Sequence, residues 1–197
     1  MPDTLQRYRV ALMQNLTGKL LIAMPGMQDP HFCNSVVFLW EHSPQRTLGV
    51  IVNKPAPEVR PEELFDQLGI ERSASADALS IHYGGPVESG RGFVLHSRDY
   101  SRNTSTLPVT EAVGMTATLD ILQDIAEDRG PSQAILALGC AGWGPGQLED
   151  EIQANGWLTT DADSDIVFHD DDSFKWSLAL KSLGVDAIAL SSAAGHA

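Results

Sequence analysis

Basic residues are scarce in this chain, cysteines are scarcer, and no apolar run is long enough to cross a bilayer. Thirteen Lys and Arg stand against 26 Asp and Glu, a formal net charge of -13. Phosphate backbones are bound by neutralising their charge, and a surface of this sign repels a polyanion unless its few cations cluster. The nearest approach to a basic group, Arg98 with Arg102, is diluted by Asp99, so direct nucleic-acid binding is not expected. The two cysteines, Cys33 and Cys140, lie far apart without Cys-x-x-Cys spacing, which argues for free thiols and against a structural disulfide or zinc site. Apolar runs fall well short of the roughly 20 residues a membrane helix needs, so no membrane partner is expected. Met1 to Leu20 mixes Asp3, Arg7, Arg9, Gln14 and Asn15 among its apolar residues. It lacks the uninterrupted core of a signal peptide, and the expected location is cytoplasmic.

What is present is enough for one sizeable core. A chain of 197 residues buries roughly 70% of its unfolded surface as one domain, expected here over 1–197 with 191–197 as a frayed tail. Its centre is the stretch Ala134 to Ile152. An apolar run, Ala134 to Leu138, enters four glycines between Gly139 and Gly146 and leaves into Gln147-Leu148-Glu149-Asp150-Glu151-Ile152. That order reads as buried strand, tight turn and helix. A glycine-rich loop before a helix often holds phosphate, but neither common spacing is met here. Glu149 stands where a dinucleotide fingerprint begun at Gly144 needs its third glycine, and no Lys-Ser or Lys-Thr follows. The carboxylates of the first helical turn would repel a second anion. The loop therefore reads as structural, packed around Trp143, and no cofactor is expected.

In chain order, residues 18–24, 36–40 and 48–52 read as strands, the last two joined as an antiparallel hairpin across Pro44. Pro61 to Leu68 reads as a short helix, with proline at its first position and Gly69 as its stop. Ile81 to Tyr83 and Gly92 to Leu95 are further strands, and residues 97–108 an exposed loop. A helix is expected from near Thr116 to Arg129, where Leu119, Leu122 and Ile125 recur at helical spacing. After the central stretch, Trp157-Leu158 and Ile166 to Phe168 read as short strands, Trp176 to Leu183 as a helix, and Val185 to Leu190 as a last strand. The fold class is α+β: strands first in a run, later alternating with helices, giving a mixed, partly antiparallel sheet flanked by helices.

With the strands placed, a series of words stands out. They include Gly18-Lys19-Leu20-Leu21-Ile22-Ala23-Met24-Pro25, Asp29-Pro30-His31-Phe32, Gly49-Val50-Ile51-Val52-Asn53-Lys54-Pro55 and Gly84-Gly85-Pro86-Val87. Arg91-Gly92-Phe93-Val94-Leu95-His96 and Gly142-Trp143-Gly144-Pro145-Gly146-Gln147-Leu148-Glu149 complete the set. In order and over most of the chain, they resemble the AlgH/YqgE family of bacterial proteins. Two departures stand out: Cys140 replaces an aromatic residue before Ala-Gly-Trp-Gly, and Asn155-Gly156-Trp157-Leu158 has glycine where serine or alanine is usual. The resemblance implies a compact cytosolic fold with a curled mixed sheet. It does not imply a reaction, and the label of transcriptional regulator given to members is not supported, as direct DNA binding, by the charge of this chain.

The candidate surface combines the glycine-rich segments with their polar neighbours. Gly84 and Gly85 permit a ligand or another chain segment to approach the backbone, and Arg91 offers a fork of donors for a carboxylate or phosphate, or for an internal carboxylate. Asn53 and Lys54, at a strand end, are candidates for further polar contacts, and Gly142, Trp143 and Gly144 form the second glycine-rich part of the surface. No catalytic residue is assigned. His31 with Cys33 is the nearest to an activated thiol, since residues two apart in an extended segment point the same way. Asp161, Asp163, Asp165 and Asp172 imitate a calcium loop, but Ile166 occupies the place that needs glycine, and no metal is expected. The expectation is thus a non-enzymatic binding or regulatory module for a protein partner or small ligand. An enzyme or ligand sensor built on Gly84, Gly85 and Arg91 is the alternative.

Overall fold

A computed structural model describes residues 15–102, 104–186 and 190. Nine strands form a single sheet, β1 (Lys19–Ala23), β2 (Val36–His42), β3 (Thr47–Ile51), β4 (Ser80–Tyr83), β5 (Val87–Ser97), β6 (Thr106–Pro108), β7 (Val113–Thr116), β8 (Ala134–Trp143) and β9 (Trp157–Asp161). Helices α1 (Pro61–Leu68), α2 (Asp120–Ala126), α3 (Gln147–Gln153), α4 (Ser164–Val167) and α5 (Asp172–Ser182) pack around it. The spatial order is β6-β7-β5-β8-β3-β2-β1-β9, with β4 attached to β8. Every pairing is antiparallel except β4 with β8. The expected mixed, partly antiparallel sheet flanked by helices is the fold observed.

The strands are apolar on both faces because both faces are covered. Along β1 to β3, Leu20, Ile22, Val36, Phe38, Trp40 and Val50 join one buried cluster with Ile166, Val167, Ala179 and Leu180 of α4 and α5. Their alternates Leu21, Ala23, Val37, Leu39 and Ile51 join another with Trp143, Leu148 and Trp157. A third cluster sets Phe65 of α1 and Ile121, Leu122 and Ala126 of α2 against Val94 and Leu136. Fully burying one such side chain is worth roughly 1.5–3 kcal/mol. Helix α1 begins on Pro61 and ends at Gly69 in the left-handed conformation, as its sequence predicts.

Strand β8 is the hub. Its first half pairs with β5 on one edge and, in parallel, with β4 on the other, and Ala141 to Trp143 pair with β3. The end of β3 is tied to the end of β4, where Ile51 N–H donates to the Gly84 carbonyl at 2.8 Å. From β4 the chain crosses β8 to begin β5, and Gly84 and Gly85 make the crossing. A methyl group on Gly84 would sit 2.2 Å from the Gly139 carbonyl oxygen, and one on Gly85 2.2 Å from the Cys140 carbonyl.

Four expectations differ from the structure. Gly139 to Trp143 is strand rather than loop, because these glycines admit the crossing chain while the strand continues. Ile166 and Val167 are helical: Asp163 caps α4 by accepting from Asp165 N–H, a local start signal stronger than a three-residue apolar run. The segment 97–108 ends in β6, and Val113 to Thr116 is strand β7, which delays α2 to Asp120. The expected strand 185–190 and tail 191–197 fall largely outside the described residues.

The crossing yields a test. Gly85→Ala is expected to abolish cooperative folding or to lower stability by more than about 4 kcal/mol, read from thermal and urea unfolding. Gly90→Ala, whose added methyl meets nothing within 4 Å, is expected to stay within about 1 kcal/mol of the parent. Equal effects at the two positions would refute the crossing.

Candidate functional site

Helix α5 places two charged side chains on one face in its first turn. Asp171 caps the helix by accepting from Ser173 N–H, and residues three apart, Asp172 and Lys175, are then neighbours. That turn rests on the end of β3 and on β4. The Lys175 ammonium donates to the Val52 carbonyl at 2.7 Å and meets Asp172 Oδ1 at 2.8 Å. The other oxygen of Asp172 lies 2.8 Å from His82 Nε2 on β4. His82 is 2% exposed and Lys175 1%. The three residues line a cleft of about 210 Å³ together with Ser80, Ser132, Gln133, His169 and Asp170.

The protonation pattern follows from the partners. An ionised carboxylate only accepts, so Nε2 of His82 holds the proton and donates. Nδ1 is the one buried side-chain nitrogen or oxygen among the described residues without a partner. An unsatisfied buried polar group costs about 1–3 kcal/mol. Burial pushes the Asp172 carboxyl up, but hydrogen bonds from His82 and Lys175 outweigh it and hold it below the usual carboxylate range. Burial also pulls Lys175 below the ordinary lysine range, against the opposing pull of Asp172. The group is a desolvated acid, base and cation joined in one chain, the kind of cluster that gathers at functional sites.

The residues singled out from sequence lie elsewhere. Asn53 ties β2 down, its Oδ1 accepting from Val36 N–H and its Nδ2 donating to the Asn34 carbonyl, both at 2.8 Å. Lys54 donates to the His31 carbonyl at 2.8 Å. Gly84 and Gly85 are buried against β8, so the segment approaching their backbone is the chain itself. Arg91 is exposed, 5.1 Å over the Phe93 ring and 3.8 Å from Glu88. Gly142 and Gly144 are exposed on either side of the buried Trp143. The indoles of Trp143 and Trp157 donate to one oxygen, Glu151 Oε2, at 2.9 and 2.8 Å. None of these residues lines the cleft over His82.

Neither thiol is hydrogen-bonded to a histidine: Cys33 Sγ donates to the Pro30 carbonyl at 3.7 Å and Cys140 Sγ to Glu88 Oε2 at 3.9 Å. Residues 30–34 form a turn rather than an extended segment, and His31 Nδ1 lies 2.9 Å from the Tyr83 hydroxyl. Cys33 is exposed and Cys140 buried. Burial, and then the charge of Glu88, push the Cys140 thiol up to about 11. Among the described residues no group of three or more His, Cys, Asp or Glu side chains is placed to hold a metal ion, and no helix is long and apolar enough to cross a membrane.

With this geometry in view, comparison with known proteins places the chain. The AlgH-like family model matches residues 20–188. The chain belongs to the AlgH-like family. A UPF0301 protein of Ruegeria pomeroyi is 58% identical over 184 residues, 93% of this chain and 100% of that protein. A UPF0301 protein of Jannaschia sp. is 52% identical over 187 residues, 94% and 97% of the two chains. The solution structure of the AlgH protein from Pseudomonas aeruginosa matches with a TM-score of 0.75 and 39% identity, covering 94% of this chain and 97% of its own. A crystal structure of a Corynebacterium diphtheriae protein shares the fold at a TM-score of 0.68 and 22% identity, covering 87% and 91%.

The grouping of His82, Asp172 and Lys175 is not visible in the sequence. Their local signals are a lone histidine inside the apolar strand segment Ile81 to Tyr83 and an acid–lysine pair three apart at a helix start. Neither signal reports that 90 residues separate His82 from Asp172.

Two outcomes test this description. Because Asp172 lies below the usual range in the fold, its contribution is complete above the unfolded value of about 3.9 and is lost as pH falls through the folded value. Asp172→Asn is expected to be less stable than the parent by about 1–3 kcal/mol near neutral pH. That gap closes below about pH 4 in urea unfolding; a gap independent of pH would contradict the assignment. For the thiols, Ellman's reagent is expected to titrate Cys33 in the native protein and Cys140 only on denaturation. Prompt native reaction of both would overturn the placement of Cys140.

Proposed function

We propose that this AlgH-like protein is a non-enzymatic, cytoplasmic binding module whose small-ligand site is the cleft over His82, Asp172 and Lys175. The supporting observation is the buried His82–Asp172–Lys175 chain in the lining of a cleft. At about 210 Å³ the cleft is smaller than the roughly 300–1,000 Å³ typical of drug-sized ligands. Its occupant is a compact polar molecule or the polar end of a larger one. Binding is favoured over covalent chemistry by how the reactive groups are held. Lys175 is engaged by Val52 and Asp172, Cys140 is kept as a neutral thiol, and Cys33 sits in an exposed turn. Direct nucleic-acid binding is disfavoured by the charge of -13 and by the engagement of Lys19, Arg46, Arg60, Arg72, Arg102 and Arg129 with carboxylates.

A thermal-shift screen against compact polar metabolites tests the reading. Saturation at about 100 times Kd adds roughly 2.7 kcal/mol, a rise of about 5–11 °C for a domain of this size. The rise is expected to be lost in His82→Gln and kept in Arg91→Ala. A rise lost in Arg91→Ala and kept in His82→Gln would move the site to the surface of Arg91 and favour the enzyme or sensor alternative.

A further inference from the structure

We infer that Asn155 is a site of spontaneous covalent modification, deamidation through a cyclic imide, and that the closure of α3 holds the reaction back until the turn into β9 opens. Of the five asparagines in the chain only Asn155 precedes glycine. In this reaction the backbone nitrogen of the following residue attacks the side-chain Cγ of asparagine. That nitrogen gives up its proton, and the side-chain amide leaves as ammonia. Water then opens the imide ring at one of its two carbonyls. The product is aspartate or, with the main chain rerouted through the side-chain carbon, isoaspartate. Glycine on the attacking side puts no Cβ in the way of ring closure.

The fold determines when the two groups meet. Asn155 is exposed and adopts a left-handed φ of 58° just beyond α3. Around it the backbone closes in two nested hydrogen bonds. Asn155 N–H donates to the Ile152 carbonyl at 3.0 Å, and Gly156 N–H donates to the Glu151 carbonyl at 2.8 Å. This is the Schellman closure of a helix, in which asparagine is a common left-handed residue. The attacking nitrogen is therefore committed as a donor, and turning it onto Cγ breaks its bond to Glu151. That acceptor residue is itself anchored: Glu151 Oε2 takes the indole protons of Trp143 and Trp157, and Oε1 the amide of Gln147. On the far side, the Gly156 carbonyl accepts from Met24 N–H at 3.0 Å, and Trp157 pairs with Ala23. Deamidation thus waits on a local opening of the link between α3 and β9. Isoaspartate adds a backbone carbon between the two closing N–H groups, so the closure no longer fits once it has formed.

The test incubates the native protein and a urea-unfolded sample side by side at mildly alkaline pH. Peptide mass spectrometry follows the mass gained when an amide becomes an acid, and hydrogen exchange follows the Gly156 amide. In urea the gain is expected at Asn155 before any other asparagine. In the native protein it is expected at least about tenfold more slowly, with the Gly156 amide protected from exchange. Another asparagine leading in urea, or equal rates at Asn155 in the two samples, overturns the proposal. Slow native reaction with an unprotected Gly156 amide overturns the part given to the Glu151 carbonyl. Gly156→Ala, whose methyl would sit 3.1 Å from the Glu151 carbonyl oxygen, is expected to react several-fold more slowly in urea, a comparison independent of whether the variant folds. An unchanged rate there refutes the role of glycine. After refolding, the isoaspartate form is expected to melt below the aspartate form, and coincident melting counts against the closure as the protecting element.

Discussion

Gly84 and Gly85 lie across the backbone of Gly139 and Cys140 with no room for a single methyl group between them, and the rest of the sheet is arranged to permit that approach. The crossing lets one strand, β8, receive β4 in parallel on one edge and β5 antiparallel on the other. It also sets the end of β3 against the end of β4, so the two halves of the sheet meet at β8. Glycine at these positions is a steric requirement of backbone against backbone. The paired glycines therefore serve chain-to-chain contact, one of the two uses their permissiveness suggests.

The same crossing locates the cleft. His82 lies two residues before Gly84, held in register opposite Ala137. Its side chain is buried before any ligand is considered, and burial sets the chemistry of what touches it. A carboxylate at the start of α5 orients the imidazole, an ammonium one turn later balances that carboxylate, and the ammonium in turn ties α5 to the end of β3. A buried ion pair contributes little net stability when desolvation is counted. What this one supplies is orientation: it turns Nε2 of the imidazole to Asp172 and leaves Nδ1 without a partner.

Much of the architecture was legible in local pattern. Strands β1 to β3 are apolar on both faces, and Pro61 and Gly69 bracket α1, so periodicity and punctuation suffice. From sequence alone β8 reads short because glycine normally interrupts a strand, and only the crossing explains why Gly139 and Gly142 lie within one. The segment Ile166 to Phe168 reads as strand because three apolar residues do not distinguish the two states, while the capping role of Asp163 is plain only once the turn is seen. The site is less legible. Asp172 reads as part of a calcium-loop imitation, His82 lies within a strand segment marked by its apolar neighbours, and Lys175 stands beside Trp176 in a helix marked by its apolar face. Their association is tertiary, and no local rule encodes it.

The Lys175–Val52 hydrogen bond joins residues 123 apart in the chain, which matters for how the molecule comes into being. As the chain is synthesised, β3 and β4 emerge long before α5, and His82 has no carboxylate to orient it until the helix arrives. Contacts of such sequence separation form slowly, because a long loop must close before they reward it. The cleft is consequently completed only once α5 has been made and has docked. An oriented His82 distinguishes a chain that carries α5 from one released or cleaved before it.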